Sequence, residues 1–184
     1  MNSETIGTRN YGAVSKSLHW LLFLLLVAQY LVGEFMPHIG AKTPNEGLVA
    51  WHLSIGAAIL FFIVVRLGWR VTHPVGFPAS LPIWEQRSAL AVHWALYILL
   101  IVILVLGWAA ANFRGWDLVL FGAVALPPLA EKGTKWAHTA GDVHVTLVYV
   151  LLGVIALHVI GALYHYFIKR DRILQRMLPG NDNA

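Results

Sequence analysis

Nine histidines are spread over 184 residues, and there is no cysteine. Four of them, His19, His52, His144 and His158, lie in stretches with few other polar side chains. His144 and His158 share an apolar run from Asp142 to Ile168 that holds no Asp, Glu, Lys or Arg beyond its first residue. They are 14 positions apart. At ~100° per residue this returns both to within ~40° of one helix face, ~21 Å apart along the axis. One helix therefore carries an imidazole near each end, both facing the same seam. His165, seven positions further on, shares that face but lies at the end of the run. Imidazole binds metals and carries protons, so ligation and proton transfer are the chemistries on offer. Without thiols, disulfides, thiolate-bound metals and iron-sulfur clusters are excluded within this chain.

The elements that must position these residues are set by composition. Hydrophobic residues make up 58% and charged residues 12%, and the mean hydropathy is positive. A soluble domain of this size could not hide that much apolar surface, so an integral membrane protein is expected. The net charge of +4 does not point to nucleic acid, because the basic residues flank apolar runs and form no stripe of their own. Four spans are expected, at about residues 17–35, 48–69, 88–111 and 142–168, each near the ~17–25 residues that a helical crossing requires. No small-residue cleavage site follows the first run, so it reads as an uncleaved span. In hydrocarbon each backbone must pair within its own segment, which makes these helices. Short connections make neighbours antiparallel. The expectation is an all-α bundle of four transmembrane helices forming one domain over residues 1–184.

Basic residues orient the bundle. Arg9, Lys16, Arg66, Arg70, Arg87, Lys169, Arg170, Arg172 and Arg176 fall on one side, and Lys42, Arg114, Lys132 and Lys135 on the other, nine against four. By the positive-inside rule both termini are expected in the cytoplasm. The loop with Pro74, Pro78 and Pro82 is stiff. The long segment from Asn112 to Gly141 mixes Trp116, Leu118, Phe121, Leu126, Leu129 and Trp136 with charges. Its apolar part is expected to lie back onto the interface and lid the bundle, or else to anchor there through its aromatic residues.

On this topology His19 enters from the cytoplasm level with His158, and His52 enters from outside level with His144. The four form two pairs at two depths, each pair drawn from different helices. Facing imidazoles suit haem iron, which takes axial nitrogen ligands on both faces. Zinc calls for ligands gathered round one point, and a proton relay for mid-membrane carboxylates; the spans supply neither. Gly33, 14 positions after His19, leaves a gap on the same face at the outer level, and Gly56, Gly153 and Gly161 lie near ligands on their own helices. Small residues admit something broad, though in membranes they also serve helix contact. Arg66, 14 positions after His52, reaches the inner depth, where it pairs with a propionate or snorkels to the surface. His93 and His165 are candidate quinone or propionate contacts, or hydrogen-bonded packing residues. His38, His73 and His138 are expected in loops. Lys132 and Lys135 are solvated, or they attract an anion such as superoxide.

The SLHW at Ser17–Trp20, the WHLSIG at Trp51–Gly56, the spaced pair His144/His158, the HYFIKRD after the last span and the late RMLP together resemble the bacterial cytochrome b561 family, related to the cytochrome b subunits of nickel-iron hydrogenases and formate dehydrogenases. The resemblance runs from Ser17 to about Pro179. It implies a four-helix bundle with two haem b groups, His19 with His158 on the cytoplasmic haem and His52 with His144 on the periplasmic one, in a bacterial inner membrane. It also implies electron exchange between ubiquinone or ubiquinol and a periplasmic one-electron partner, superoxide being one, as in a superoxide oxidase. The alternative within the family is a haem-bearing anchor and relay subunit of a larger dehydrogenase or hydrogenase. A haem-free scaffold is the reading outside it. The six-span eukaryotic proteins of the same spectral name differ in architecture, so their ascorbate chemistry is not transferred.

Overall fold

The structure, a computed structural model, describes residues 11–40, 43–78 and 80–179. Arg9 and Lys42 of the charge asymmetry lie outside the described residues. Four long helices account for most of the chain: α1 (Ala13–Phe35), α2 (Leu48–Thr72), α3 (Ile83–Phe113) and α4 (Lys135–Tyr164). All four are long and apolar enough to cross a membrane. A π-helical turn (His165–Lys169) and a 3₁₀ turn (Gln175–Met177) follow α4.

The helices outrun the apolar stretches that announce them. α3 has 31 residues and so extends ~46 Å, against a hydrocarbon core of ~30 Å. It begins at Ile83, just after Pro82, so polar Glu85, Gln86 and Arg87 are helical. α4 begins at Lys135, well before Asp142. Apolarity marks where lipid begins, not where helical hydrogen bonding begins. His93 consequently lies well inside α3 and not at its start, and His138 sits in the first turn of α4 and not in a loop.

α1 packs on α2 and α3 on α4, with α2 meeting α3. The shared core is small: Leu22, Ile59, Ile63, Leu100, Ile103 and Leu151, from all four helices. Large apolar side chains such as Leu24, Trp51, Val64 and Tyr149 face outward. In lipid, burying them would gain little, and helices associate through close packing and polar contacts instead. The α3–α4 seam accordingly buries Ala109, Ala137 and Ala140, and a Cβ on Gly141 would meet the Ala110 methyl at 3.4 Å.

Both ends of the described chain gather at one end of the bundle, here called the terminal end. Trp20 Nε1 donates to the Met177 carbonyl (2.9 Å) and Arg176 to the Gly76 carbonyl (3.0 Å), while the Arg70 and Arg176 guanidinium groups lie over the Tyr11 ring. The opposite, lid end carries the α3–α4 connection. Asn112, buried, donates from Nδ2 to the Trp116 carbonyl and accepts from the Leu129 amide through Oδ1, holding both sides of this segment to α3.

Beyond Asp117 the chain forms a two-stranded hairpin, β1 (Val119–Leu120) with β2 (Val124–Ala125). Its turn has positive φ at Phe121 (53°) and Gly122 (67°) and an Ala123 N–H to Leu120 C=O bond of 3.1 Å, the primed geometry that suits the twist of paired strands. A bulky residue with positive φ is costly. The Phe121 ring offsets that cost with edge contacts to Phe61 (5.6 Å) and Phe62 (6.2 Å), and Leu118 is buried with Ala57 and Ala111. Phe61 lies 13 residues into α2, ~20 Å from its start. The segment expected to lid the bundle mouth instead descends along the flank of α2, which an apolar hairpin with partly self-paired backbone can do.

Candidate functional site

At the lid end the rings of His52 (α2) and His144 (α4) face each other with centroids 6.3 Å apart and planes at 78°. At the terminal end His19 (α1) and His158 (α4) repeat the arrangement, at 6.3 Å and 71°. Two imidazoles bound at ~2.0–2.1 Å on opposite sides of one metal ion place their centroids roughly 6 Å apart. Both pairs have that separation.

The seat of His144 is built by α3. A carbonyl only accepts, so the 2.8 Å contact between His144 Nδ1 and the Ile103 carbonyl places the proton on Nδ1 and leaves Nε2 as a free lone pair. Gly107, one turn after Ile103, makes this possible. A Cβ there would stand 2.9 Å from both Nδ1 and Cε1 of the ring, so no larger residue fits without moving the histidine. Composition and spacing passed over Gly107, since it is 14 positions from none of the four paired histidines. Its role shows only once α3 is packed on α4.

His52 is held from α1. Gln29 Nε2 lies 3.1 Å from His52 Nε2, and a Cβ on Gly33 would stand 3.4 Å from His52 Cε1. The expected gap at Gly33 thus opens onto the lid-end pair. Gly56 faces Gln29 at 3.4 Å, whereas Gly153 and Gly161 have nothing within 4 Å. His52 Nδ1 and Gln29 Oε1 are buried without a hydrogen-bond partner, as is the indole N–H of Trp108, next to Gly107. Polar atoms orphaned beside a facing histidine pair are what a site for a further group presents. Gln29 was not singled out by the sequence, because a lone amide in a span carries no periodic signal.

The terminal-end pair has polar company. His93 (α3) lies against His158 with ring centroids 5.3 Å apart. Arg66 (α2) is within electrostatic range of His19 and His158, and its Nη1 donates to the Ser15 carbonyl at 2.8 Å. Arg66 therefore reaches the inner depth that its spacing from His52 implies and is tied to the start of α1. His165, by contrast, opens the π-helical turn seven residues beyond His158, bonded to Asp171 (2.6 Å) and not part of the histidine pair. His73 stacks on Trp69 and His138 on the edge of Phe113, away from both pairs. Lys132 packs over Gly115 in the lid segment, beside a cavity of about 410 Å³ lined by Trp116, Asp117 and Glu131.

Among the described residues no three side chains of His, Asp or Glu converge on one point. That donor arrangement does not suit a structural zinc site, which takes four ligands around one ion. Two-point ligation from opposite sides remains, and the residues present fit a group bound that way.

Comparison with known proteins identifies the family. The prokaryotic cytochrome b561 family matches residues 10–180. Cytochrome b561 homolog 2 of Escherichia coli is 32% identical, over 96% of this chain and 95% of its own length. The probable superoxide oxidase CybB of Yersinia pestis is 27% identical over 93% and 97%. Cytochrome b562 of Cereibacter sphaeroides is 25% identical over 91% and 94%. The chain belongs to the prokaryotic cytochrome b561 family: it is a multi-pass membrane cytochrome of the haem b type.

Proposed function

We propose that this protein carries two haem b groups, one between His52 and His144 and one between His19 and His158, and conducts electrons through the bilayer between them. The observation that carries the proposal is the equal 6.3 Å separation of two histidine pairs at opposite ends of one bundle. Haem b supplies reversible one-electron chemistry at iron. His144, with Nδ1–H spent on the Ile103 carbonyl, offers Nε2 as a ligand. Gln29 lies on His52 Nε2 and would turn away for ligation through that nitrogen. With His52 and His144 holding one haem and His19 and His158 the other, no open position would be left for oxygen. The chemistry is then outer-sphere electron transfer.

The excess of basic residues at the terminal end supports an orientation with that end in the cytoplasm and the lid end in the periplasm, and the family likeness supports a bacterial inner membrane. Ubiquinone, a lipid-soluble carrier, is the two-electron partner. His93, beside His158, is the candidate residue for its contact, and Arg66 for a propionate. The other partner is a periplasmic one-electron donor or acceptor. Superoxide fits, given the likeness to the probable superoxide oxidase and the cationic Lys132 and Lys135 at the lid end.

The test is to purify the chain alone, count haem per polypeptide and mix it with ubiquinol. Two haems reduced rapidly by ubiquinol support a self-sufficient quinone-coupled oxidoreductase. Two haems reduced only by a strong chemical donor point to a relay subunit of a larger complex. One haem overturns the paired assignment.

A further inference from the structure

Below the terminal-end histidines lies a second polar cluster that electron transfer does not use. Glu85, in the first turn of α3, has a side chain only 6% exposed. Its Oε1 accepts from Lys169 Nζ at 2.5 Å, but its Oε2 is buried with no hydrogen-bond partner. His165 Nε2 lies 3.9 Å from it. On the other side of the same ring, His165 Nδ1 is 2.6 Å from Asp171 Oδ2. Asp171 is a third exposed, and its Oδ1 accepts from the Ile173 amide at 3.1 Å.

The protonation pattern follows from these contacts. Asp171 takes the Nδ1–H, so a neutral His165 presents a lone pair at Nε2. Lys169 pairs with Glu85 through Oε1 and leaves Oε2 presenting a lone pair. Two acceptors face each other across 3.9 Å in a buried place. One added proton turns that opposition into a hydrogen bond; without it both groups stay unsatisfied. The backbone supports the arrangement: His165–Lys169 is π-helical, and Arg170 takes φ 53°, which turns the chain so that Asp171 comes back to His165. π-Helical turns occur preferentially at functional sites. The charged and titratable groups around the pair are Lys169 and Asp171 from the turn after α4, and Tyr164, whose ring meets His165 edge-on at 5.8 Å.

We propose that Glu85 and His165 hold an exchangeable proton between Oε2 and Nε2, delivered through Asp171 from water at the terminal end, and that this relay serves the quinone. The second half of the proposal rests on the quinone reading above. Reducing one quinone takes two electrons, supplied by a one-electron donor such as superoxide through the haems, and two protons, giving the quinol. For each proton the ring takes the Nε2–H tautomer: Asp171, protonated from water, donates to Nδ1 as the Nε2 proton leaves for Glu85 Oε2 and goes on to a quinone oxygen, and tautomer exchange resets the ring for the next. In quinol oxidation the same path runs outward. His158 to His165 is seven residues of α4, ~10 Å of rise, so the relay lies between the terminal-end histidines and water.

The experiment compares the full-length haem-loaded wild type with Glu85→Gln, which keeps an acceptor for Lys169 and removes the proton-binding carboxylate. Haem reduction by ubiquinol is followed by stopped flow across pH, with haem content and reduction by dithionite read alongside. A rate at least tenfold lower, with a flattened pH profile and unchanged haem content, is the expected result. An unchanged rate and profile overturn the relay. Should Glu85→Gln lose haem or misfold, Asp171→Asn, at the exposed end, takes its place with the same criteria. If the wild type itself is not reduced by ubiquinol, the quinone reading fails, and the proton site is judged alone by ¹⁵N-imidazole NMR. A His165 titration displaced by Glu85→Gln upholds the site, and an undisplaced one removes it.

Discussion

The two histidine pairs share one separation but occupy differently built ends of the bundle. At the lid end the seats are neutral: a carbonyl for His144, an amide for His52, and Gly107 and Gly33 pressed against the rings. At the terminal end they are charged or titratable: Arg66 and His93 beside the pair, and the Glu85–Lys169 ion pair further out. The lid end has α3 and α4 locked through alanines and a folded segment held to their junction, and its charged Asp117, Glu131 and Lys132 line the cavity of that segment. Charge in the bilayer must be paired or reach water, and the terminal end, with its cluster of basic residues, allows both. On the proposed two-haem reading, one coordination geometry is tuned separately at two depths, by shape at one and by charge at the other.

The largest expected effect tests whether the two ends are separate sites. His144→Ala and His158→Ala, on the same helix, are each expected to halve the haem content and to remove different components of the absorption spectrum. Identical residual spectra would merge the ends into one site. Next, Gly107→Ala places a methyl 2.9 Å from the His144 ring. Overpacking of this kind costs about 1–3 kcal/mol, and the loss is expected in lid-end haem occupancy alone. Gly153→Ala, with open space around it, is expected to leave both haems in place. Occupancy falling equally at both ends in Gly107→Ala would mean that the seat is not local.

Charge tuning at the terminal end is tested by Arg66→Gln. A cation beside a haem favours the reduced form, so its removal is expected to lower the terminal-end midpoint potential by on the order of tens of mV, with the lid end unmoved. Redox titration followed optically reads both at once. Equal displacement of both potentials would show that the two ends share one electrostatic environment.

The sequence displays the fold class and the paired histidines because both depend on long-range regularity. Apolar runs of membrane length cannot be mistaken for soluble helices, and the separation of His144 and His158 survives any uncertainty in helix ends. Helix limits were less legible: Glu85 to Arg87 and Lys135 to Gly141 are helical but polar enough to read as loop. The hairpin was missed because Val119–Ala125 is apolar without strict alternation, and its turn puts a phenylalanine where glycine or asparagine is usual. Gly107 and Gln29 act across helix interfaces, and no single-helix pattern points to a residue whose role is defined by its neighbour. The Glu85–His165 contact joins residues 80 positions apart in sequence, from separate helices.

The smallest expected effect concerns which nitrogen of His52 faces the bound group. Gln29 donates to Nε2 at 3.1 Å, while its own Oε1 and the ring's Nδ1 are unsatisfied. Gln29→Leu removes one hydrogen bond worth about 0.5–1.5 kcal/mol but also removes an orphaned buried oxygen, and the two terms oppose each other. A net stability change below ~1 kcal/mol is expected on thermal unfolding. The informative readout is lid-end haem occupancy. If Nε2 is the ligating atom, the amide competes with iron, and Gln29→Leu keeps or strengthens haem binding there. If the lid-end haem is lost instead, Gln29 must remain on Nε2 in the loaded protein, its oxygen accepting from Nε2–H. Ligation would then fall to Nδ1, the nitrogen that looks toward Gly33, and the lid-end seat would differ from the terminal one in its coordinating atom as well as in its surroundings.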